Sequence, residues 1–376
     1  MVKKIPLLRP LLPNTDALVP YLREIDKNQW YTNFGPMVQK LERKLLSEFS
    51  QGKDTNLYLT TVSNCTVGLE LALSALALPA SSRVLVPGLT FVATATAVLR
   101  SGHQLLLADI DPDSWLLTPD AARNALEKYP FSAVMPVATF GCPQDTDEWD
   151  RFTKDTGIPV VIDAAGAYGN QGAARLATVV FSSHATKTMS SAEGGVIVSG
   201  NKMLVESIRQ MSNFGIDLSV ATPISQGVVN RIGTNAKMSE YHAAIALAAL
   251  DQWSQTCSQR LGLSVEYENR LDKMGGYLVR QKSQNRLVNS LMPIRLKAGI
   301  NLPEIITRMM DKGIETRRWY CPPIHQHPAF ASAIKADELV EVESLSESLL
   351  GLPFFLGMEV EEVDYVCASL AEALEN

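Results

Sequence analysis

One lysine, Lys187, lies in the segment FSSHATKTMSSAEGG, which consists mainly of small and hydroxyl-bearing residues. The segment begins within an apolar run, TVVFS, that predicts a strand. A lysine in a desolvated pocket has a lowered pKa, and its neutral amine can act as a nucleophile and form a Schiff base. The nearby hydroxyls could donate hydrogen bonds to a phosphate; they belong to Ser182, Ser183, Thr186 and Thr188. The segment alone leaves a second interpretation open, an exposed loop lysine.

Two other predicted strand ends carry side chains that could act with this lysine, because open α/β sheets bind ligands at the carboxyl ends of their strands. Asp163 ends the apolar run PVVID, where its carboxylate could cap a helix, bind a metal or pair with a cationic ring nitrogen. No cluster of His, Asp or Glu surrounds it in the sequence, which disfavours a metal. Phe91 follows the strand and turn of VPGLTF and could either stack on a flat ligand or pack into the core.

The segment TTVSNCTVGLELAL predicts a strand that leads into a helix. Ser63, Asn64 and Thr66 are candidate caps, and the free amides at the start of such a helix, around Cys65, can bind a phosphate. A plain N-cap is the alternative. Neither GxxxxGK[ST] nor GxGxxG is present, which weakens a nucleotide-binding interpretation. Together, a phosphate-binding helix start, a strand-end aspartate, an aromatic ring and a protected lysine are what pyridoxal phosphate requires.

Short apolar runs alternate with helical patterns in the first part of the chain. The predicted strands are Leu57–Thr61, Arg83–Pro87, Gln104–Ala108, Ala133–Val137, Pro159–Asp163, Thr178–Ser182 and Gly194–Ser199. The predicted helices are Val67–Leu78, Val92–Ser101, Ala121–Lys128, Thr146–Thr156 and Met203–Asn213. This alternation predicts an α/β fold, with a mostly parallel sheet covered by helices on both faces.

The pattern changes beyond this region. A polar loop through Asn235 precedes an unusually long stretch of helical spacing, Met238–Arg270. The remaining predictions are strands at Tyr277–Arg280, Leu287–Leu296 and Ile314–Trp319, a helix at Leu302–Lys312, and two closing helices. We predict a large domain over residues 1–250, which includes an N-terminal arm, and a smaller C-terminal α+β domain over residues 251–376.

Composition narrows the functional class. The 376 residues are 46% hydrophobic and carry a net charge of −6, so we expect a globular protein with neither nucleic acid nor membrane as a partner. Five scattered cysteines without a CxxC pair indicate free thiols and a cytoplasmic location. Prolines and Arg9 interrupt the leucine-rich start, which argues against a signal peptide, and no apolar run reaches membrane-spanning length.

The chain resembles the DegT/DnrJ/EryC1/StrS sugar aminotransferases, which have the type I fold of pyridoxal-phosphate enzymes. The resemblance covers almost the whole chain. The segments that carry it include WYTNFGPMVQKLE, SNCTVGLELAL, VPGLTFVATATAVLRSG, FGCPQDTD, IDAAGAYG, FSSHATKTMSSAEGG, GTNAKMSEYHAA and YCPPIHQHPAF.

The resemblance implies a role for each candidate residue. Lys187 would bind the cofactor covalently and carry a proton between the substrate Cα and C4′, Asp163 would pair with the pyridine nitrogen, and Phe91 would stack on the ring. The phosphate would be bound by Asn64, Cys65, Thr66 and Ser182. Asn235 would reach it from the neighbouring subunit, which implies a homodimer with shared active sites.

Two features of the motifs bear on the reaction. Relatives often have His or Gln beside the phenolic oxygen of the cofactor, at the position that is Gly166 here. Relatives in which histidine replaces the lysine are dehydratases, so Lys187 favours transamination.

The implied reaction moves an amino group from glutamate to a keto carbon of a nucleotide-linked deoxy sugar. The motifs look most like those of members that form dTDP-4-amino-4,6-dideoxyglucose for surface polysaccharide, which favours C4; a 3-keto sugar is the alternative. A non-catalytic regulator that binds the cofactor or a sugar nucleotide is the alternative class. Candidate substrate contacts are Tyr31, Tyr320 and His325, each of which core packing or loop structure would explain equally. Either Arg317 or Arg318 could face the diphosphate.

Overall fold

The computed structural model describes residues 4–51, 56–216 and 228–375. Most of the polar loop predicted before Asn235, residues 217–227, lies outside the described residues. Seven strands of the N-terminal two thirds lie in chain order as β1 Tyr58–Val62, β2 Arg83–Pro87, β3 Gln104–Ala108, β4 Ala133–Val134, β5 Val161–Asp163, β6 Thr178–Ser182 and β7 Gly195–Ser199.

These strands form two hydrogen-bonded groups that meet edge to edge. In one group β3, β2 and β4 run parallel, and in the other β7 runs antiparallel to both β1 and β6 while β5 runs parallel to β6. Single parallel bridges from Val134 to Val160 and from Val137 to Asp163 join β4 to β5. The resulting order is β1-β7-β6-β5-β4-β2-β3. A mostly parallel sheet is therefore confirmed.

Helices cover both faces of this sheet. They are α1 Thr15–Asn28, α2 Pro36–Ser50, α3 Cys65–Ala75, α4 Val92–Arg100, α5 Pro119–Lys128, α6 Thr146–Thr156, α7 Lys202–Ser212 and α8 Glu240–Asp251. Successive side chains of each strand point to opposite faces of the sheet. On β2, for example, Val84 and Val86 belong to the cluster that includes residues of α3 and α4, whereas Leu85 belongs to the cluster that includes residues of α2 and α8. This burial on both sides explains why the strands are nearly continuous apolar runs, and it confirms the predicted α/β class.

The C-terminal part has a hydrophobic cluster of its own. Its elements are α9 Trp253–Leu271, β8 Leu278–Val279, β9 Met292–Leu296, α10 Leu302–Asp311, β10 Ile334–Lys335, α11 Val340–Ser348, β11 Leu349–Leu352 and α12 Val360–Glu375. β9 pairs antiparallel with β8 and β11, and α10 and α12 pack there. By contrast, β10 pairs with β3, and α11 joins the core of the large sheet. The domain division at residue 250 stays a prediction.

Several predicted elements were wrong in their boundaries. The single helix predicted over Met238–Arg270 is two helices, because the chain turns at Gln252, where φ is −99° and ψ 3°. The turn is accompanied by packing of Trp253 on Tyr168, with ring centroids 5.0 Å apart. The strand predicted at Ile314–Trp319 is reduced to single bridges at Ile314 and Arg317.

Candidate active site

Asp163 ends β5 and lies at the carboxyl edge of the sheet with only 4% of its surface exposed. Its Oδ2 accepts a hydrogen bond of 2.7 Å from Thr94 Oγ1, and its Oδ1 accepts one of 3.0 Å from the Ala165 amide. Burial raises the pKa of Asp163, while the two hydrogen bonds and the charge of Lys187 act in the opposite direction. A buried carboxylate with so few partners suits a cationic group such as a protonated ring nitrogen.

Thr90, in the turn before α4, supports the hydrogen bond from Thr94 to Asp163. Thr94 lies in the first turn of α4 and has a single hydroxyl proton, which it donates to Asp163. Its 2.7 Å contact with Thr90 Oγ1 must therefore have Thr90 as the donor. Both side chains are buried. The sequence analysis did not single out either threonine, although both lie in the segment VPGLTFVATATAVL.

Lys187 lies in a tight loop between β6 and β7. Its amide donates to the His184 carbonyl at 2.9 Å, and its side chain is half-buried. Burial raises the pKa of both Asp163 and Cys65, and the Lys187 charge acts in the opposite direction on both, so the three side chains share one electrostatic environment. Gly194 closes the loop. A Cβ there would lie 2.4 Å from Ser183 Oγ and 2.6 Å from Ser191 Oγ, which accounts for the glycine.

Most hydroxyls around Lys187 are hydrogen-bonded within the loop. Ser183 Oγ lies 2.5 Å from Ser191 Oγ, Thr186 Oγ1 lies 3.0 Å from His184 Nδ1, and Thr188 Oγ1 donates to the Tyr168 carbonyl. Ser182 differs, because its Oγ accepts from the His184 amide and its own proton has no acceptor in the described residues. Of the four hydroxyls predicted to bind phosphate, Ser182 is thus the one best able to donate.

The start of α3 presents amides beside Ser182. Asn64 is the N-cap, and its Oδ1 accepts from the Val67 amide at 2.9 Å, so its side chain serves the helix itself. The amides of Cys65 and Thr66 belong to the first turn and have no acceptor within the helix. Cys65 is the first residue of α3 and has no positive φ, so the helix starts here without backbone strain. Burial raises the pKa of its thiol well above the usual range.

Gly195 allows β7 to approach this helix start. A Cβ on Gly195 would lie 2.9 Å from the Asn64 carbonyl carbon, closer than real Cβ contacts come, and 3.0 Å from its oxygen. The second glycine of the segment AEGG is thus explained by the position of α3, to which β7 packs directly.

Aromatic rings form one side of the pocket. Phe91 is the N-cap residue of α4 and is 58% exposed, which is unusual for a phenylalanine at a strand end. Its ring centroid is 6.1 Å from that of Tyr320, which stacks on Phe140 at 5.0 Å with an interplanar angle of 4°. Burial, together with the Asp163 charge, raises the pKa of Tyr320. Tyr320 thus joins the pocket from a distant part of the chain, and Phe140 is a member that the sequence analysis missed.

The remaining candidates have other contacts. The His325 side chain is buried, with Nε2 3.0 Å from Glu343 Oε1, and burial lowers its pKa. Tyr31 stacks on Tyr241 with centroids 6.3 Å apart, and its carbonyl accepts from the Glu240 amide. Both arrangements agree with the structural alternative that the sequence left open.

Three polar residues lie at the surface. Asn235 is exposed, and its Oδ1 accepts from Lys237 Nζ at 2.7 Å. The Arg317 guanidinium lies 4.8 Å from the Trp319 ring centroid, and Arg318 Nη2 donates to the Ser346 carbonyl at 2.7 Å. Neither arginine belongs to a continuous strand.

The pocket fits pyridoxal phosphate. A buried carboxylate can hold the pyridine nitrogen, an exposed phenylalanine can cover the ring, and the amides of α3 with Ser182 can bind the phosphate. At Gly166 a Cβ would have Gly141 N at 3.7 Å as its nearest atom, so the position is not filled by another side chain. Within residues 4–51, 56–216 and 228–375, no group of His, Cys, Asp and Glu could hold a metal ion. None of the helices described is long and apolar enough to cross a membrane.

Comparison with known proteins agrees with this chemistry. Residues 14–371 match the DegT/DnrJ/EryC1/StrS aminotransferase family. A dTDP-4-amino-4,6-dideoxy-D-glucose transaminase of Shigella dysenteriae is 30% identical over 380 residues, which cover 99% of this chain and 100% of that protein.

Solved structures give the same result. A putative pyridoxal-phosphate-dependent aminotransferase from Bacillus cereus has a TM-score of 0.89 and 29% identity over 98% of this chain and 100% of its own. DesI, solved in the presence of its TDP-sugar product, has a TM-score of 0.87 and 26% identity over 100% of this chain and 94% of its own. The predicted fold and cofactor are thereby confirmed. The chain belongs to the DegT/DnrJ/EryC1/StrS aminotransferase family and is a pyridoxal-phosphate-dependent aminotransferase.

Proposed function

We propose that this enzyme transfers the amino group of glutamate to C4 of a dTDP-linked 4-keto-6-deoxyhexose, for surface polysaccharide or another deoxyamino sugar. The observation that carries the proposal is the buried Asp163 carboxylate facing the Lys187 charge at the carboxyl edge of the sheet. The choice of sugar rests on the full-length likeness to the Shigella transaminase.

Each residue has a defined task in this proposal. Pyridoxal phosphate, when bound, supplies an electron sink for the carbanion formed at the donor Cα. Asp163 holds the proton on the pyridine nitrogen, and Thr94 keeps the carboxylate oriented and ionised. With the cofactor bound, the Lys187 amine would move the proton from the donor Cα to C4′, and would carry out the reverse transfer on the keto sugar.

Binding of the cofactor uses the neighbouring groups. The α3 amides at Cys65 and Thr66 and the Ser182 hydroxyl bind the phosphate, because the helix N-terminus favours an anion. Phe91 stacks on the ring. Tyr320 is our candidate for a substrate contact, because its ring centroid lies 6.1 Å from that of the exposed Phe91 and its hydroxyl can donate and accept hydrogen bonds.

We also infer a homodimer in which Asn235 of the partner subunit contacts the cofactor phosphate. Apolar side chains are exposed around Asn235: Val229 is 58% exposed and Ile232 96%. Contiguous exposed apolar residues mark interaction surfaces. We expect light scattering to give a dimer, and Ile232→Asp to weaken it, whereas Met203→Asp, at an exposed methionine of α7, leaves it intact.

Two further parts of the proposal concern organisation and location. We propose that residues 251–376 form a separate smaller domain. The separate hydrophobic cluster around Tyr267, β9 and α12 supports this proposal. In limited proteolysis, the first cleavage should then occur near residue 250. We propose a cytoplasmic location, which the five free cysteines support. Cell fractionation would test it.

The deciding experiment offers the enzyme glutamate with dTDP-4-keto-6-deoxyglucose, its 3-keto isomer, or the GDP-linked 4-keto sugar. NMR then locates the new amine. We expect amination at C4 of the dTDP sugar, with none by Lys187→Ala and unchanged turnover by Lys202→Ala, an exposed lysine. Amination at C3 would support the 3-keto alternative. Binding of the sugar nucleotide without amination by any donor would overturn the proposal and favour a regulator.

A further inference from the structure

Arg260, on α9, carries a buried charge without a counterion. It is 8% exposed and forms no ion pair within the described residues. Nη1 donates to the Asn289 carbonyl at 2.9 Å, while the Nε proton is buried without an acceptor. Burial lowers the pKa of Arg260 to about 10. A guanidinium has five donor protons, and a buried one normally finds an anionic partner because its desolvation is costly.

Two cavities meet at this guanidinium. The larger, about 240 Å³, lies between the N-terminal segment at Asn14, the loop at Thr188 and Ser190, and the start of α9. The smaller, about 20 Å³, includes Arg9 in its lining. Among the residues that the structure describes, no acidic side chain lines either cavity. The smaller holds little more than one water, so only the larger can accept a ligand.

The larger cavity also offers polar groups at helical spacing. Thr256 and Arg260 are four residues apart on one face of α9, and they line it together with Gln252, the N-cap residue of that helix. The side chains of Gln252 and Thr256 make no hydrogen bond within the described residues. The other hydroxyls of the lining are less available, because Thr188 donates to the Tyr168 carbonyl and Ser190 to the Ser183 carbonyl.

The size and charge of the cavity define the ligand. Pockets for larger organic ligands begin at about 300 Å³, so this one suits a small ion. Guanidinium groups recognise carboxylate and phosphate oxygens through paired hydrogen bonds. We propose that the cavity behind the Lys187 loop binds a small oxyanion, a phosphate or a carboxylate, on Arg260. The bound anion joins the N-terminal segment, α9 and the loop that carries Lys187.

The test uses holoenzyme whose cofactor has been fixed by borohydride reduction, so that added phosphate cannot occupy the cofactor's own phosphate site. Calorimetry measures binding of inorganic phosphate and, separately, of acetate, at constant ionic strength. We expect phosphate, acetate or both to bind at one site per subunit. The anion that binds more tightly shows whether the site prefers a phosphate or a carboxylate. Arg260→Met should weaken this binding at least tenfold. Arg100→Met, at an exposed arginine paired with Glu70, should leave it unchanged.

A second measurement needs no variant. Cys257 lies three residues before Arg260; burial raises the pKa of its thiol, and the Arg260 charge acts in the opposite direction. An anion on Arg260 offsets that charge, so it should slow alkylation of Cys257 by iodoacetamide, read by peptide mass spectrometry, without slowing that of Cys321. Equal binding by wild type and Arg260→Met, no binding of either anion, or binding that leaves the alkylation of Cys257 unchanged would overturn the proposal.

Discussion

The hydrogen bond from Thr94 to Asp163 should set the pH range over which the enzyme holds its cofactor. Thr94→Val keeps the shape of the side chain and removes the 2.7 Å bond, which leaves Asp163 with the Ala165 amide and the Lys187 charge. A hydrogen bond to a charged group is worth about 1.5–3 kcal/mol. Because the bond favours the ionised carboxyl, its loss should raise the pKa of Asp163 by about one to two units, at about 1.4 kcal/mol per unit.

The assay is the dissociation constant of pyridoxal phosphate measured as a function of pH through its visible absorption. Pairing with a protonated pyridine nitrogen requires ionised Asp163, so the acidic limb of the binding curve should move up by about one to two pH units in Thr94→Val. Thr178→Val is the matched control, since Thr178 is also buried, on the strand next to that of Asp163, but donates to the neutral Ser199 hydroxyl. An acidic limb in Thr94→Val that coincides with the wild type would refute the role given to Thr94.

Three further predictions concern Asp163 and two glycines. Without cofactor, the free energy of unfolding should fall as pH rises from 3.8, the ordinary pKa of an aspartate, to the raised pKa of folded Asp163, because the unfolded carboxyl ionises first. In urea titrations, Asp163→Asn should lack this decrease. An identical pH dependence of the variant and the wild type would contradict this prediction. Gly195→Ala should destabilise the protein by about 1–3 kcal/mol and weaken cofactor binding, because the new Cβ would meet the Asn64 backbone. Gly262→Ala is the control; a Cβ at Gly262 has open space around it, so this variant should not be destabilised. A thermal melt of Gly195→Ala that matches the wild type would be inconsistent with that packing. Gly166→Gln should fold normally, because the nearest atom to its Cβ is 3.7 Å away, and it should shift the absorption of the bound cofactor; an unchanged spectrum would mean that this position does not face the phenolic oxygen.

The sequence predicted the central sheet well because its strands are buried on both faces. Arg83–Pro87, Gln104–Ala108 and Thr178–Ser182 have the predicted bounds. The strands predicted at β4 and β5 were too long, because only single bridges, and no continuous ladder, join these two strands. An apolar run specifies a strand, but the neighbouring strand decides how many of its residues pair.

Elements that depend on tertiary contacts were harder to predict. The apolar spacing continues through Gln252, so no local signal marks the turn between α8 and α9. β10 is only two residues long and forms by pairing with β3, which is more than two hundred positions away in the sequence. Short elements of this kind carry little periodicity of their own.

The candidate site was predictable where each residue sits at a strand end. Asp163, Ser182 and Phe91 follow predicted strands, so their meeting at one edge of the sheet follows from the topology. The hydrogen bonds within the Lys187 loop were not predictable, because serine and threonine hydroxyls bond either locally or to a ligand with the same sequence signal. The place of Phe140 against Tyr320 depends on a contact between distant parts of the chain.

The central claim is that Lys187 carries the cofactor in a site formed with Asp163, and peptide mapping tests it most directly. The holoenzyme is reduced with borohydride and digested, and the modified residue is located by mass spectrometry. We predict a single modified peptide with the cofactor on Lys187, and none in Lys187→Ala. Modification of another lysine, or equal modification of Lys187→Ala, would contradict the claim.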